Sequence, residues 1–171
     1  MQITRTTKLS GILELGKECK RCGHCCSFDS GFIAKNEIKS LAKHFKLKEI
    51  DFIKKYLREM KVFNNTVYKF KIKKKGSKPF GRCILYDKEK GCTIHDIKPM
   101  HCKIGNCNKH GENLSAWFTV NYLVNKDDPE SIRQFSIYIK SGGKMIPGGE
   151  LKDLIKDKEK LDDILNYKIL N

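Results

Sequence analysis

The sequence predicts an α+β fold, a small single domain over residues 1–171 in which helices pack with a short antiparallel sheet. Apolar residues recur at spacings of three and four over residues 35–48, 50–60 and 151–165, which is typical of amphipathic helices. Apolar and polar residues alternate from residue 66 to 73 and again over 133–140, which is typical of strands with one buried face. A chain of 171 residues is long enough to bury a hydrophobic core.

The first two predicted helices each have an apolar face and a basic face. Asn36 is the predicted N-cap of the first helix. The apolar faces comprise Ile38, Leu41, Ala42 and Phe45 in the first helix and Ile53, Tyr56, Leu57 and Met60 in the second. Such a division into apolar and lysine-rich faces indicates ordinary surface helices.

The predicted strand from Thr66 has lysines on one face and Tyr68 and Phe70 on the other. We therefore expect these two aromatic side chains in the core and the lysines in solvent. Residues 114–124 are apolar without a clear period, so they do not distinguish helix from strand. A glycine-rich connection over 141–150 leads into a predicted C-terminal helix at about residues 150–168.

Eight cysteines are the main chemical feature, and they fall into two groups of four. The first group is Cys19, Cys22, Cys25 and Cys26, and the second is Cys83, Cys92, Cys102 and Cys107. The N-terminal residues lack the continuous apolar stretch of a signal peptide, and no run of about 18 apolar residues could span a membrane, so we expect a cytoplasmic protein. In a reducing compartment, clustered cysteines are more often metal ligands or redox groups than disulfides.

A metal site that uses both groups would organise the whole domain, whose core would span residues 19–107. It would close a loop of more than fifty residues, at a cost of a few kcal/mol of chain entropy. Structural metal binding supplies about 10–16 kcal/mol of apparent free energy. The free energy of metal binding exceeds the entropic cost of closing the loop. We therefore predict that the two groups meet at one buried site and that all eight cysteines are candidate ligands.

The spacing of the first group fits two kinds of metal site. Cys19, Cys22 and Cys25 are spaced like the first three ligands of a bacterial ferredoxin cubane. The stretch CKRCG is also typical of a zinc knuckle. Cys25 and Cys26 are adjacent, and neighbouring side chains of an extended backbone diverge, so one of the two could serve a second site or remain a reactive thiol.

Four histidines lie near the cysteines, at positions 24, 95, 101 and 110. Any of them could replace a thiolate as ligand. Because eight cysteines already suffice, we expect these histidines to donate hydrogen bonds to sulfur or to lie on the surface, as we also expect for His44.

CKRCGHCC followed by CILYDKEKGCTIHDIKPMHC resembles the CxxCxxCC (YkgJ-type) cysteine-cluster family, described as zinc- or iron-chelating proteins or iron-sulfur oxidoreductases. The resemblance covers Cys19 to about Cys102. It implies that the first group and Cys83, Cys92 and Cys102 correspond to the family's cysteines. Two departures are Lys98, where the family usually has arginine before Pro99, and Cys107, which lies outside the usual pattern. A related cysteine cluster occurs in flagellin lysine methylases, which suggests that the bound group is an iron-sulfur cluster.

The composition adds a strongly basic charge. Lys and Arg number 35 against 20 Asp and Glu, which gives a formal net charge of +15. Such a charge favours an acidic partner such as RNA or DNA, because basic surfaces gain affinity by releasing phosphate counterions. We favour the simpler interpretation of solvated surface lysines and expect weak nucleic-acid binding at most.

These observations predict a cytoplasmic metalloprotein that binds an iron-sulfur cluster, of the 4Fe-4S type, in electron transfer or as part of an oxidoreductase or modification system. Zinc is the second choice of metal. The alternative is a zinc-stapled basic RNA-binding module without catalytic activity. The sequence contains no G-x-G-x-x-G or P-loop and no radical-SAM spacing, and it leaves open both the redox or protein partner and whether the chain is an enzyme.

Overall fold

The computed structural model describes residues 2–170, and its mixture of helices and small antiparallel sheets confirms the α+β fold class. Within these residues the α-helices are α1 (Leu9–Gly16), α2 (His24–Phe28), α3 (Lys35–His44), α4 (Glu49–Tyr56), α5 (Met100–Ile104), α6 (Gly111–Phe118), α7 (Pro129–Lys140), α8 (Leu151–Leu154) and α9 (Lys158–Leu165). A 3-10 helix spans His95–Ile97, and a π-helical turn spans Thr119–Leu123.

The strands are β1 (Phe32–Ile33), β2 (Leu57–Val62), β3 (Asn65–Phe70), β4 (Ile72–Lys74), β5 (Gly81–Cys83), β6 (Tyr86–Asp87) and β7 (Gly91–Cys92). They form one three-stranded sheet in the order β1-β3-β2 and two hairpin-like pairs, β4 with β5 and β6 with β7. The pairs place Cys83 opposite Ile72 and Cys92 opposite Tyr86. No described helix is long and apolar enough to cross a membrane.

The described residues form two compact units. One comprises residues 2–15, 61–66 and 109–170, and the other comprises residues 16–60 and 67–108. We call the second the cysteine unit, because it contains all eight cysteines. The single domain over residues 1–171 stays a prediction, since the compactness of each unit does not test whether both unfold together.

The cysteine unit has its own hydrophobic core. The buried members are Ile33, Ile38, Leu41, Ala42, Phe52, Leu57, Phe70, Cys83, Leu85 and Ile94. The rings of Phe45 and Tyr56 pack against Phe52, with ring centroids 5.4 and 5.5 Å from it. Because Cys83 belongs to this core, the position of one candidate ligand is fixed by apolar packing.

The other unit is mainly helical in its described part. Ile132 of α7 packs with Ile155, Leu161 and Ile164 around α8 and α9. The buried Arg133 donates to the carbonyl oxygens of Ile164 and Ile169, so the C-terminal segment is held by side-chain hydrogen bonds as well as apolar contacts.

The first predicted helix is confirmed as α3, but the predicted N-cap residue is wrong. The N-cap residue is Ala34, not Asn36. The Glu37 carboxylate accepts a hydrogen bond from the Ala34 N–H at 2.9 Å, so the acidic residue in the first turn supplies the cap. The helix ends at His44, four residues earlier than predicted.

The second predicted helix is correct only in its first part. It runs over α4, and residues 57–60 belong to strand β2 instead. A two-residue turn at Phe63 and Asn64 joins β2 to β3, and both residues have positive φ, 47° and 60°. Two-residue turns with positive φ at both positions are typical of tight β-hairpins. Residues 57–60 therefore belong to a hairpin strand, although their apolar spacing also fits a helix.

The strand predicted over residues 133–140 is wrong, because this segment belongs to helix α7. The Asp128 side chain caps the helix by accepting from the Glu130 N–H at 2.9 Å, and Pro129 occupies its first turn. Ile132, Phe135 and Ser136 are buried at helical spacing. The alternation of apolar and polar residues over 133–140 is therefore part of a longer helical pattern that begins at Pro129.

Three other segments refine the sequence predictions. The strand from Thr66 is divided into β3 and β4, and the apolar segment from residue 114 is helical as far as Leu123. The C-terminal helix is two helices, α8 and α9, and Asp157 caps the second by accepting from the Lys160 N–H at 3.0 Å. The chain between residues 141 and 150 contains no helix or strand, as its glycines predict.

Glu37 connects two helices of the cysteine unit and provides a test of the fold. Its carboxylate accepts from the Met100 N–H at 2.7 Å as well as from Ala34, so it also caps α5. We expect Glu37→Ala to lower the free energy of unfolding by about 1–3 kcal/mol, because two helix-terminal N–H groups lose their acceptor. Urea unfolding measures this. Lys39→Ala on the exposed face of α3 is the control, and equal stabilities of the two variants would contradict the capping role.

Candidate metal centre

The first cysteine group lies on the loop after α1 and on the short helix α2. Cys25 and Cys26 are in α2, and Gly23 just before it has a φ of 73°. A Cβ at Gly23 would lie 2.0 Å from the Tyr86 hydroxyl oxygen, so both the backbone conformation and the close ring require glycine. The turn between Cys22 and Cys25 is thereby fixed against the β6-β7 hairpin.

The second cysteine group is distributed over three elements and the loop after them. Cys83 ends β5, Cys92 ends β7 and Cys102 lies in α5. Cys107 follows α5 and is exposed. All eight thiols are free cysteines.

Both groups line one cavity of about 600 Å³ within the cysteine unit. The cysteines in its lining are Cys19, Cys25, Cys26, Cys83, Cys92 and Cys102. The structure therefore confirms that the two groups meet. The expectation of a buried site is wrong in part, because Cys25 is exposed and Cys22 and Cys107 are exposed outside this lining.

The thiols surround the cavity without forming a closed coordination sphere. Among residues 2–170, no three side chains of the His, Cys, Asp and Glu types are arranged so that they could hold one metal ion. The donor set still fits zinc or iron in its chemistry, since sulfur is the donor that both metals take in proteins.

Cys25 and Cys26 do not lie on an extended backbone, so the expected divergence of their side chains is wrong. Both are in α2, and their sulfur atoms are 3.9 Å apart. The interaction with Cys26 lowers the pKa of Cys25 to about 6, while the same interaction raises the pKa of Cys26. A thiolate at Cys25 is thus stabilised by the neighbouring thiol.

Ionisation is unfavourable for the thiols of Cys83 and Cys102. Burial, with smaller contributions from the charges of Cys92, Asp29 and Cys25, raises the pKa of Cys83 to about 11. Burial likewise raises the pKa of Cys102 to about 12, with contributions from Cys83 and Cys92. A bound cation would offset both effects, because it replaces the lost solvation and neutralises the mutual repulsion of the thiolates.

His101 supports the site through its ring nitrogen. The Phe32 N–H donates to His101 Nδ1 at 2.9 Å, and burial lowers the pKa of His101 to about 4. The ring is therefore neutral at neutral pH, with Nδ1 as acceptor. His95 also lines the cavity and lies 3.4 Å from Lys98 Nζ, whereas His24 packs on Phe28 and His110 belongs to the other unit.

An ion cluster at the edge of the cavity was missed by sequence reasoning. The Asp29 carboxylate forms ion pairs with Lys69 and Arg58. Lys69 is only 8% exposed, and its ammonium lies 4.5 Å from the centroid of the Phe32 ring. The expectation that Lys69 faces solvent is wrong, because its charge is paired inside the unit. Phe70 is buried as expected, and Tyr68 is half-buried.

The ion cluster predicts a pH dependence of stability. Burial of Asp29 acts to raise its pKa, but hydrogen bonds from Lys69 and the Ser30 N–H, with the charge of Arg58, lower it overall. A carboxyl whose pKa is depressed by folding contributes stability above its unfolded pKa of about 4, and this stability is lost as the pH falls through the folded pKa.

We expect Asp29→Asn to be less stable than the original chain at pH 7 and this difference to shrink below about pH 4. Urea unfolding at pH 7 and pH 3 measures the difference. The control is Asp51→Asn, at an exposed position of α4. A difference that is the same at both pH values would show that the carboxylate charge plays no part.

Comparisons with known proteins identify the family of this chain. Searches of curated proteins and of solved structures found no match. A family model named CxxCxxCC, with the description "Putative zinc- or iron-chelating domain", matches residues 18–121, which is more than half of the chain and includes every cysteine. The description supports metal binding, and by this match the chain belongs to the CxxCxxCC family.

Proposed function

We propose that this chain is a metalloprotein that binds an iron-sulfur cluster through its clustered cysteines. It would act in the cytoplasm in electron transfer or as part of an oxidoreductase or modification system. The observation that carries the proposal is the shared cavity, which is lined by cysteines from both groups. Thiols from four separate segments of the chain reach this one cavity, where they could bind a common metal group.

Two features favour a cluster over a single zinc ion. Cys19, Cys22 and Cys25 have cubane spacing. The cavity of about 600 Å³ has room for a group of several atoms, since a water molecule takes about 30 Å³ in the liquid. When bound, such a cluster would supply reversible one-electron transfer.

The chain's own basic residues suit an anionic group. A four-thiolate zinc site or an oxidised [4Fe-4S] site with four cysteines carries a charge of about −2. The cationic side chains in the cavity lining are Arg21, Lys69, Lys88, Lys90 and Lys98. Lys98 also helps to lower the pKa of Cys25, so it favours the thiolate there. Hydrogen bonds and charges around the sulfurs are the groups that tune such sites.

Metal analysis of anaerobically purified protein tests the proposal. We expect brown protein with broad visible absorption, containing iron and acid-labile sulfide. Colourless protein with stoichiometric zinc would instead support the zinc alternative. Protein without either metal would contradict metal binding altogether.

Serine substitutions test the assignment of the ligands. We expect Cys22→Ser and Cys102→Ser each to lower the metal content, and Cys102→Ser to lower the melting temperature as well, because metal binding contributes folding free energy. His44→Ala, at an exposed position, is the control and should change neither property. Full metal content in both cysteine variants would mean that the site is misassigned.

Gly31 offers a test that leaves every cysteine in place. A Cβ at Gly31 would lie 2.5 Å from Cys102 Sγ. We therefore expect Gly31→Ala to displace this thiol and to reduce the metal content measured by elemental analysis. Gly76→Ala is the control, since a Cβ there meets no atom within 4 Å. It carries only the cost of a positive φ, about 1 kcal/mol. Equal metal content in the two variants would contradict the predicted contact.

The zinc-stapled RNA-binding module stays as the second candidate because of the exposed lysines after β3. Lys73, Lys74 and Lys75 are exposed, whereas Lys69 is buried in its ion pair and Lys71 donates to the Lys54 carbonyl oxygen at 2.7 Å. Three of the five lysines of this segment are thus available for phosphates. This supports weak binding at most.

We expect weak, sequence-independent RNA binding with a logarithmic salt slope of about −2, since three contacts contribute about −0.7 each on single strands. A gel assay at several salt concentrations measures the slope, with the triple alanine variant of residues 73–75 as comparison. Tight, sequence-selective binding that these substitutions abolish would favour the RNA-binding module.

A further inference from the structure

Three exposed rings form an aromatic patch on the surface of the cysteine unit. The centroid of the His24 ring lies 5.0 Å from that of Phe28, and the Phe28 centroid lies 5.7 Å from that of Phe80. Phe28 is 48% exposed and Phe80 is 42% exposed. Single exposed apolar residues are common, but exposed aromatic rings in mutual contact indicate an interaction surface.

The position of the aromatic patch is set by the packing of α2 on the β4-β5 pair. His24 and Phe28 are four residues apart in α2, so they lie on one face of this helix. The helix packs against β5, and Phe80 directly precedes that strand. A Cβ at Gly81 would lie 2.4 Å from the Lys73 carbonyl oxygen, so the two strands are in close contact where Phe80 joins them.

Cations lie next to the aromatic patch. The Lys78 ammonium is 5.5 Å from the centroid of the Phe80 ring. The exposed Lys74 is paired with Gly81, the neighbour of Phe80. Residues 73–89 contain six lysines and arginines against two acidic residues. This surface therefore attracts an acidic ligand.

Lys73 and Arg82 continue the basic surface on the outer face of the β4-β5 pair. They are paired with each other, and the next pair along the strands contains the buried Cys83. Because successive residues of a strand face opposite sides, Lys73 and Arg82 point away from the core. Both line a cavity of about 390 Å³. Arg82 is two residues after Phe80, so a bound chain reaches the cavity and the aromatic patch together.

The lining of this cavity is positive on balance. Lys88 is its third cation, and Asp87 and Glu89 are its acidic residues. The Asp87 carboxylate is used in the turn between β6 and β7, where it accepts from the N–H groups of Glu89 at 2.8 Å and Lys90 at 2.9 Å. The cations of the cavity therefore remain available to an anionic ligand.

We propose that the aromatic patch and these cations bind single-stranded nucleic acid, with unpaired bases stacked on Phe28 and Phe80 and phosphates bound by the lysines of residues 73–75. Each nucleotide of a single strand offers both a flat base and a phosphate. A duplex hides the faces of its bases, and an acidic protein segment has no flat ring beside each charge. The proposal rests on the RNA-binding candidate for its lysines and adds a surface that recognises bases. It is independent of the metal, since the three rings lie outside the lining of the cysteine cavity.

Fluorescence anisotropy with a short labelled RNA strand, and with the duplex that it forms with its complement, tests the proposal at several salt concentrations. We expect the single strand to bind more tightly than the duplex, although the duplex has the higher charge density. Phe80→Ala should weaken single-strand binding by about 5- to 150-fold. It should leave the salt slope unchanged, because stacking releases no counterions, whereas the triple alanine variant of residues 73–75 should make the slope shallower. Phe80→Tyr keeps a ring and should bind like the original chain.

Ile50→Ala removes an apolar side chain that is 72% exposed on α4, and as the matched control it should bind like the original chain. Duplex binding as tight as single-strand binding, or unchanged affinity in both Phe80→Ala and Phe28→Ala, overturns the aromatic patch and leaves the lysine-based candidate. No binding of either RNA, or equally tight binding of poly-glutamate, overturns nucleic-acid recognition and favours an acidic protein partner.

Two further measurements keep the outcomes separate. The metal content of each variant should equal that of the original chain, so failure of this inference leaves the proposed metal binding untouched. Circular dichroism shows whether each variant keeps the fold. If Phe80→Ala unfolds, the preference of the original chain for the single strand over the duplex still decides.

Discussion

The ion cluster of Asp29 with Lys69 and Arg58 is the interaction on which the geometry of the cysteine unit depends. Asp29 follows directly after α2, and its partners lie in β3 and β2. A buried ammonium loses its solvation, so Lys69 requires the carboxylate, and removal of one partner leaves an uncompensated charge inside the unit. The helix that carries Cys25 and Cys26 is thereby fixed to the central sheet.

The four residues after Asp29 extend this connection to the second cysteine group. The Ser30 hydroxyl donates to the Phe70 carbonyl oxygen at 3.0 Å, and Gly31 lies against Cys102. The Phe32 N–H then donates to His101, while β1 pairs with β3. One short segment therefore determines the distance between α2 and α5. The convergence of the thiols is therefore supported by the hydrogen bonds and close packing of this segment, and a bound metal would add to them.

The sequence predicts this unit where the determinants are local and fails where they are distant. The family and helix α3 are predicted from short windows of sequence, and both are confirmed. The pairing of Lys69 with Asp29 joins residues forty positions apart, and alternation alone places this lysine in solvent. The α7 error has a different cause, because Asp128 and Pro129 form a recognisable helix start that an eight-residue window excludes. The apolar spacing of residues 57–60 fits a helix, and these residues form a strand because the hairpin turn at Phe63 and Asn64 follows them.

The arrangement of charge around the cavity explains why a basic chain suits a thiolate site. Four thiolates crowd negative charge that burial alone would suppress, as the raised pKa values of Cys83 and Cys102 indicate. A bound zinc ion or an oxidised [4Fe-4S] core neutralises about half of this charge, and about −2 remains for cations to balance. Lys98 lies in the cavity lining and contributes one of these positive charges. A lysine ammonium lacks the forked geometry of a guanidinium, so it can balance the site without binding a partner's carboxylate or phosphate in a bidentate manner. Part of the positive charge of this chain therefore belongs to the metal centre, which reduces the share that is available to a nucleic acid.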